Sequence, residues 1–249
     1  MNYAVKISYL GQNYSGWQIQ PDATSIQEII ENILFKIAGN KIKIIGAGRT
    51  DKGVNSVGQI ASFEMEKIFK PEKLQLALNF YLPEDIRITK VYLTQNNFNA
   101  RHDAFLREYK YFIFHGSFCP PALNNFVWWN KKFWDHDLAR QASKILIGKH
   151  DFKAFCKTSE CPENSIRTIQ SIRIKKIYNI TVISIKAQSF LTNMVRIIMG
   201  NLNAVATGKN NILWLNNLLN NSARSESSIT APACGLWFWR AYYKDNIFN

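Results

Sequence analysis

The sequence predicts an α+β protein made of two split β-α-β halves, ferredoxin-like in plan, with antiparallel sheets. Three observations predict it. Strand-like and helix-like stretches succeed one another as strand, helix, two strands, helix, strand, and then do so again. The chain is 249 residues long, enough for one large domain or two ordinary ones. Its 47% hydrophobic and 20% charged residues are the balance of a globular protein with a real core. The halves are expected at 1–97 and 98–249.

Tyr3, Val5, Ile7 and Tyr9 alternate with Ala4, Lys6 and Ser8, a strand with one buried face. A turn over Gly11–Gly16 and the run Trp17 to Pro21 follow. Thr24 or Ser25 caps a helix, with Glu28 placed for a capping box and Ile26, Ile29, Ile30, Ile33, Leu34 and Ile37 on one face. Strand-like runs at Ile42–Ile45 and Val57–Phe63 bracket a glycine-rich turn. A short helix (Pro71 to Phe80), the turn Leu82 to Asp85 and a strand (Ile86 to Leu93) complete the first half.

The second half opens with a long strand, Phe105 to His115, in which Arg107, Tyr109, Tyr111 and Ile113 share one face. Cys119 to Trp134 reads as an irregular, tryptophan-rich excursion. Asp135 to Ile147 is helical. Strands are expected at Ile166–Ile177 and Asn179–Ala187, then a long helix from Phe190 to about Thr207. A short helix (Ile212 to Leu219) and a polar link lead to the last strand, Leu236 to Tyr243.

The chain carries 31 Lys and Arg against 18 acids, a formal charge of +13. An excess of that size is a polyanion footprint, most often of nucleic acid. It is spread along the sequence, which favours a broad basic surface over a basic tail. The four cysteines form no Cys-x-x-Cys pair and the four histidines are scattered, so neither zinc nor a disulfide framework is expected. No stretch approaches the ~20 apolar residues of a membrane span. No signal peptide is read at the N-terminus, and a cytoplasmic location is expected.

The glycine-rich turn is the best candidate for chemistry. At its tip stands Asp51, with Arg49 two residues before it and Gly48 and Gly53 close by. Such a turn can hold a carboxylate out from a sheet, and a neighbouring cation favours its ionised form. A hairpin with a solvated ion pair is the ordinary reading, and the motif alone leaves both open. The other acids, Asp85, Asp103 and Asp151, have no comparable setting for a second carboxylate. Gly46-x-Gly48 is too short for a phosphate-cradling loop.

Gly-Arg-Thr-Asp-Lys-Gly-Val at 48–54, followed by Gly58-Gln59, resembles the signature of the tRNA pseudouridine synthase A family. The likeness covers nearly the whole chain. It includes Gly16-Trp17-Gln18-x-Gln20-Pro21, Leu82-Pro83-Glu84-Asp85-Ile86-Arg87, Phe98-x-Ala100-Arg101 and Arg107-x-Tyr109-x-Tyr111. It continues through His150-Asp151-Phe152, Arg167-Thr168, Phe190-Leu191-x-x-Met194-Val195-Arg196 with Gly200, and Thr230-Ala231-Pro232-x-x-Gly235-Leu236.

The resemblance implies a cofactor-free isomerase that converts uridine to pseudouridine at positions 38–40 of the tRNA anticodon stem-loop. It also implies a homodimer with a basic active-site cleft between the halves. On that basis Asp51 is the nucleophile, attacking sugar or base, with a glycal route as the other proposal. Arg196 pairs with Asp51, Arg49 belongs to the catalytic loop, Tyr109 stacks on the target base and Leu236 lines the pocket. Arg101 and Arg107 are candidates for phosphate contacts, against an ordinary reading as strand-surface charges.

Four departures from the family pattern stand out: Leu10 for an acid, Asn55-Ser56 for His-Ala, Thr192-Asn193 where histidine is common, and Ile197 for asparagine. They spare Asp51, Tyr109 and Arg196 and bear on the finer RNA contacts. Two other functions are weighed. A non-catalytic RNA-binding protein with the same cleft predicts loss of the acid, which is present. A base-excising enzyme predicts free uracil and an abasic site.

Overall fold

A computed structural model describes residues 1–220 and 223–244. In chain order the regular elements are β1 (Asn2–Tyr9), α1 (Ile26–Ala38), β2 (Ile45–Gly46), β3 (Asn55–Glu64), α2 (Pro71–Tyr81), β4 (Ile86–Thr94), β5 (Leu106–Phe114) and β6 (Trp128–Trp129). Then come α3 (His136–Ile145), β7 (Gly148–Asp151), β8 (Ile166–Ile177), β9 (Ile180–Ala187), α4 (Met194–Ala206), α5 (Ile212–Leu218) and β10 (Leu236–Tyr242). The α+β class holds. The chain divides into two compact units, Met1–Arg107 with Trp237–Asn249, and Glu108–Leu236. The break therefore falls ten residues beyond the one expected after Asn97, and the last strand belongs with the first unit. No described helix is long and apolar enough to cross a membrane.

In unit 1 the strand order is β4-β1-β3-β10, with β2 beside β3. β1 lies antiparallel to both β3 and β4. It is flanked on both edges, and Tyr3, Val5, Ile7 and Tyr9 are all buried. The α1 stripe of Ile26, Ile30, Ile33 and Leu34 packs into the same core. Ser25 caps that helix by accepting the Glu28 N–H at 3.3 Å, and Gly39, at φ +85°, ends it.

Two local expectations shift. The strand expected at Ile42–Ile45 is reduced to Ile45–Gly46, because the Ile44 N–H goes instead to the Glu31 carboxylate of α1 at 3.0 Å. β3 begins two residues early, at Asn55, because Asn55 and Ser56 find ladder partners in Trp237 and Phe238 of β10. That pairing is parallel, unlike the all-antiparallel expectation. β10 arrives from the far end of the chain, so no hairpin dictates its direction.

In unit 2 the order is β5-β9-β8-β7, with β6 beside β5. β8 and β9 pair antiparallel, placing Ile172 and Ile174 opposite Ile185 and Ile183 in the core. α3 and α4 pack together, and α3 also packs on β8. β7 was not foreseen, since Gly148 reads as a helix stop; the following residues pair with β8 through His150 and Arg167. Part of the tryptophan-rich excursion is also regular: Trp128 and Trp129 pair with Ile113 and Phe114.

The helix expected from Phe190 starts four residues late, at Met194. Asn193 sits in the left-handed region at φ 61°, which breaks helical continuity. Apolar spacing runs unbroken through this stretch, so periodicity alone could not show the break.

Candidate active site

In unit 1 the Asp51 turn is clamped by contacts that the glycines permit. The Asp51 carbonyl accepts the Val54 N–H at 3.1 Å, closing a tight turn in which Gly53 has φ +78°. Gln59 of β3 braces the opposite limb: its side-chain amide donates to the Gly48 carbonyl at 2.6 Å. The Ala47 N–H donates to the Ile60 carbonyl at 2.7 Å. Asp51 is half-buried, Arg49 exposed and Thr50 between them buried.

The segment after β1 closes on the turn from outside. The Thr50 hydroxyl meets the Tyr9 hydroxyl at 2.8 Å, and the Thr50 carbonyl accepts the Trp17 N–H at 3.1 Å. Gly16, at φ +105°, lies so near that a Cβ there would stand 2.5 Å from the Thr50 carbonyl oxygen. This segment is itself anchored on Asp85, whose carboxylate accepts from the Tyr14 hydroxyl and, at 2.9 Å, from Asn13. Asp85 is thus a structural acid of the Leu-Pro-Glu-Asp-Ile-Arg motif.

Asn55 and Ser56, which depart from the family pattern, are fully engaged in the turn's foundation. Asn55 Oδ1 accepts the Gly11 N–H at 2.8 Å. Ser56 Oγ accepts from the Gln59 N–H at 3.0 Å and donates to the Phe238 carbonyl at 3.2 Å. Both side chains are buried.

Arg107, expected as a phosphate contact, is buried and points inward. Its Nε donates to the Ala47 carbonyl at 3.1 Å, its Nη1 to Ala104 at 2.6 Å and its Nη2 to the Arg101 carbonyl. It therefore braces the limb leading into the Asp51 turn. Arg101 itself is exposed.

In unit 2 Arg196 lies in the first turn of α4. Arg196 Nη1 donates to Asn193 Oδ1 at 2.8 Å, and its Nε to the Ala231 carbonyl at 2.9 Å. The Ala231 N–H returns a bond to the Arg196 carbonyl at 3.1 Å. One turn on, Gly200 lets the same segment lie against the helix: a Cβ there would fall 1.8 Å from the Ile229 carbonyl oxygen. A carbonyl and an amide oxygen thus both help to hold the guanidinium. The Asn193 contact to Arg196 was not foreseen, although an asparagine at a helix boundary is the available signal for a left-handed residue.

Tyr109 is buried and meets Phe190 edge-to-face at 5.1 Å. Two residues on, Tyr111 donates to the Pro232 carbonyl at 2.7 Å. Its phenol is raised well above 10, by burial first, with Arg196's positive charge opposing the rise. Gly235 is required beneath it, since a Cβ would stand 2.8 Å from the Tyr111 ring. Leu236, the next residue, is buried.

A sequence profile for the family described as tRNA pseudouridine synthase matches residues 5–103 and 142–244. The chain belongs to the tRNA pseudouridine synthase family. Among curated relatives, tRNA pseudouridine synthase A of Brachyspira hyodysenteriae is 37% identical over 246 residues, covering 98% of this chain and 99% of that protein. The namesake from Thermoanaerobacter sp. is 36% identical over 242 residues, 97% of this chain and 99% of that one. That of Prochlorococcus marinus is 37% identical over 248 residues, 99% and 92%. As a tRNA pseudouridine synthase the protein is an isomerase.

Proposed function

We propose that this enzyme converts uridine to pseudouridine at positions 38–40 of the tRNA anticodon stem-loop, with Asp51 as nucleophile. The observation that carries the proposal is the setting of Asp51 in the Gly-Arg-Thr-Asp-Lys-Gly-Val turn. The clamps on Gly48, Thr50 and Val54 hold the backbone on either side of the acid.

The reaction breaks the bond from C1′ to N1, turns the uracil and joins C1′ to C5. The proton leaves C5 and N1 ends protonated, so the RNA's mass is unchanged. A carboxylate that forms a transient bond to sugar or base divides this into two easier steps. A detached uracil must be retained, which calls for the target nucleotide to leave its stack and meet an aromatic wall. Tyr109 supplies that wall in this proposal, and Leu236 an apolar side. Arg196 acts on Asp51 and the vacated position, Arg49 beside the acid and Arg101 on phosphate. Arg107 acts through the turn, as a positioning residue. The resemblance to the family supports action as a homodimer in the cytoplasm; mass in solution and cell fractionation read these.

The test is purified protein with unmodified tRNA transcript, read by carbodiimide-primer extension across the anticodon arm. Wild type gives stops at positions 38–40. Asp51→Asn removes them, slowing the reaction at least ~1,000-fold while the protein still binds tRNA. Full activity in Asp51→Asn removes the nucleophile assignment. Absence of the wild-type signal removes the proposed target.

A further inference from the structure

The far end of β5 carries a surface that the uridine chemistry does not use. Phe118, Phe133 and Tyr178 are 84%, 84% and 92% exposed, more than any other large apolar side chain described in unit 2. All three spring from segments that meet at His115. Asn179, next to Tyr178, accepts the His115 backbone N–H at 2.7 Å. Trp134, next to Phe133, sets its ring 5.8 Å from that of His115 and 5.1 Å from that of His136. Phe118 lies on the turn leaving His115, where the Gly116 carbonyl accepts the Trp129 indole N–H at 2.9 Å. Beneath them the buried Thr181 hydroxyl bonds Nε2 of His115 and of His136, at 2.9 and 2.8 Å. The exposed rings stand on a tied base.

The charge around them is of one sign. Lys131 lies over the Trp129 ring, 4.2 Å from its centre. Lys132, Lys175 and Lys176 are exposed, and the charge of Lys176 acts on both histidines. The sequence has no acid between Glu108 and Asp135, and none between Glu163 and Glu226. Of the nearest acids, Asp135 caps α3 and Asp137 pairs with Arg140. Ile177 is the one exposed large aliphatic side chain described in these segments. Flat rings among uncompensated ammonium groups suit unpaired RNA bases, which stack on the rings while the cations take the phosphates.

β5 leads from Tyr109 to His115 in six residues, about 20 Å of extended chain. We infer that this end of unit 2 is a second RNA-binding surface, stacking unpaired bases of the tRNA outside the modified loop on Phe118, Phe133 and Tyr178. Lys131, Lys132, Lys175 and Lys176 hold the flanking phosphates. The inference rests on tRNA being the substrate, and it concerns binding only.

The experiment measures affinity by fluorescence anisotropy for two RNAs, an unmodified full-length tRNA transcript and its isolated anticodon stem-loop. The variants are F118A/F133A/Y178A and K131A/K132A/K175A/K176A, all at exposed positions. The aromatic variant is expected to bind full-length tRNA about 10–100-fold more weakly with its salt dependence unchanged. Its affinity for the stem-loop stays within twofold of wild type. The lysine variant lowers the slope of log affinity against log salt by about 3 on full-length tRNA. Full-length affinity within twofold of wild type in the aromatic variant overturns the inference. So does an equal loss on both RNAs. A fall in the mass of the aromatic variant in solution also overturns it, marking the face as a contact between protein subunits. Affinity is read without turnover, so a wild type that makes no pseudouridine defeats the proposed function and leaves this result readable.

Discussion

Arg196 depends on its neighbours at the scale of single atoms. Its guanidinium donates to the Ala231 carbonyl and to Asn193 Oδ1, and the Asn193 backbone is left-handed. Against the family pattern Asn193 looks like a departure; in the structure it accepts a hydrogen bond from the arginine. Asn193→Gly keeps the backbone free to stay left-handed and removes only the acceptor. It is expected to lower kcat about tenfold, the worth of one charge-assisted bond, with tRNA affinity within twofold and little change in Tm. Asn193→Ala adds backbone strain of about 1 kcal/mol and loses Tm as well. Single-turnover kinetics beside anisotropy and thermal melts separate the two.

Among the elements, β3 owes most to distant chain. Its first residues pair with β10, more than 180 positions later, and at Gly58 the two backbones lie close together. A Cβ at Gly58 would lie 2.0 Å from the Trp239 carbonyl oxygen. Gly58→Ala is therefore expected to cost at least ~2 kcal/mol in urea unfolding, since two backbones must part. Gly39→Ala is the comparison: no atom lies within 4 Å of its Cβ, so only its positive φ of 85° is paid for, about 1 kcal/mol. Equal losses in the two variants would refute the close-approach reading. Helix α1 was legible because its capping residue and apolar stripe are local signals, and α2 opens on Pro71, which suits a first helical turn. β6, β7 and the start of β3 were not, because a strand that short is defined by its ladder partner on another strand, and β2 was expected at greater length.

For the molecule as a whole, the pair His115 and His136 ties stability to pH. Burial lowers the His115 imidazole from 6.5 to about 4, helped by the charges of His136 and Lys176. Burial likewise lowers His136, with Lys176 and Arg140 adding to it and Asp135 and a backbone bond opposing it. Both folded values lie below the unfolded one, so the unfolded chain binds more protons as pH falls from 6.5 toward about 4. The contribution is complete above pH 6.5 and is lost on acidification. Allowing for solvent around these half-buried rings, it amounts to about 1 kcal/mol. Urea midpoints should be level from pH 8 to 6.5 and fall by pH 5. A His115→Gln, His136→Gln variant should lose that part of the fall.

The sequence by itself determined the α+β class, the basic character and the motif that sets Asp51 in a glycine-framed turn. These are written in local spacing, in composition and in residue types that a tight turn demands. Only the tertiary structure decided that Arg107 braces the turn instead of facing outward, that Asp85 anchors the segment closing over Thr50, and that Asn193 interrupts a helix to hold Arg196. Each of these rests on a polar side chain choosing one backbone or side-chain partner among many. Periodicity reports which face of an element is buried, but it carries no record of which polar groups meet there.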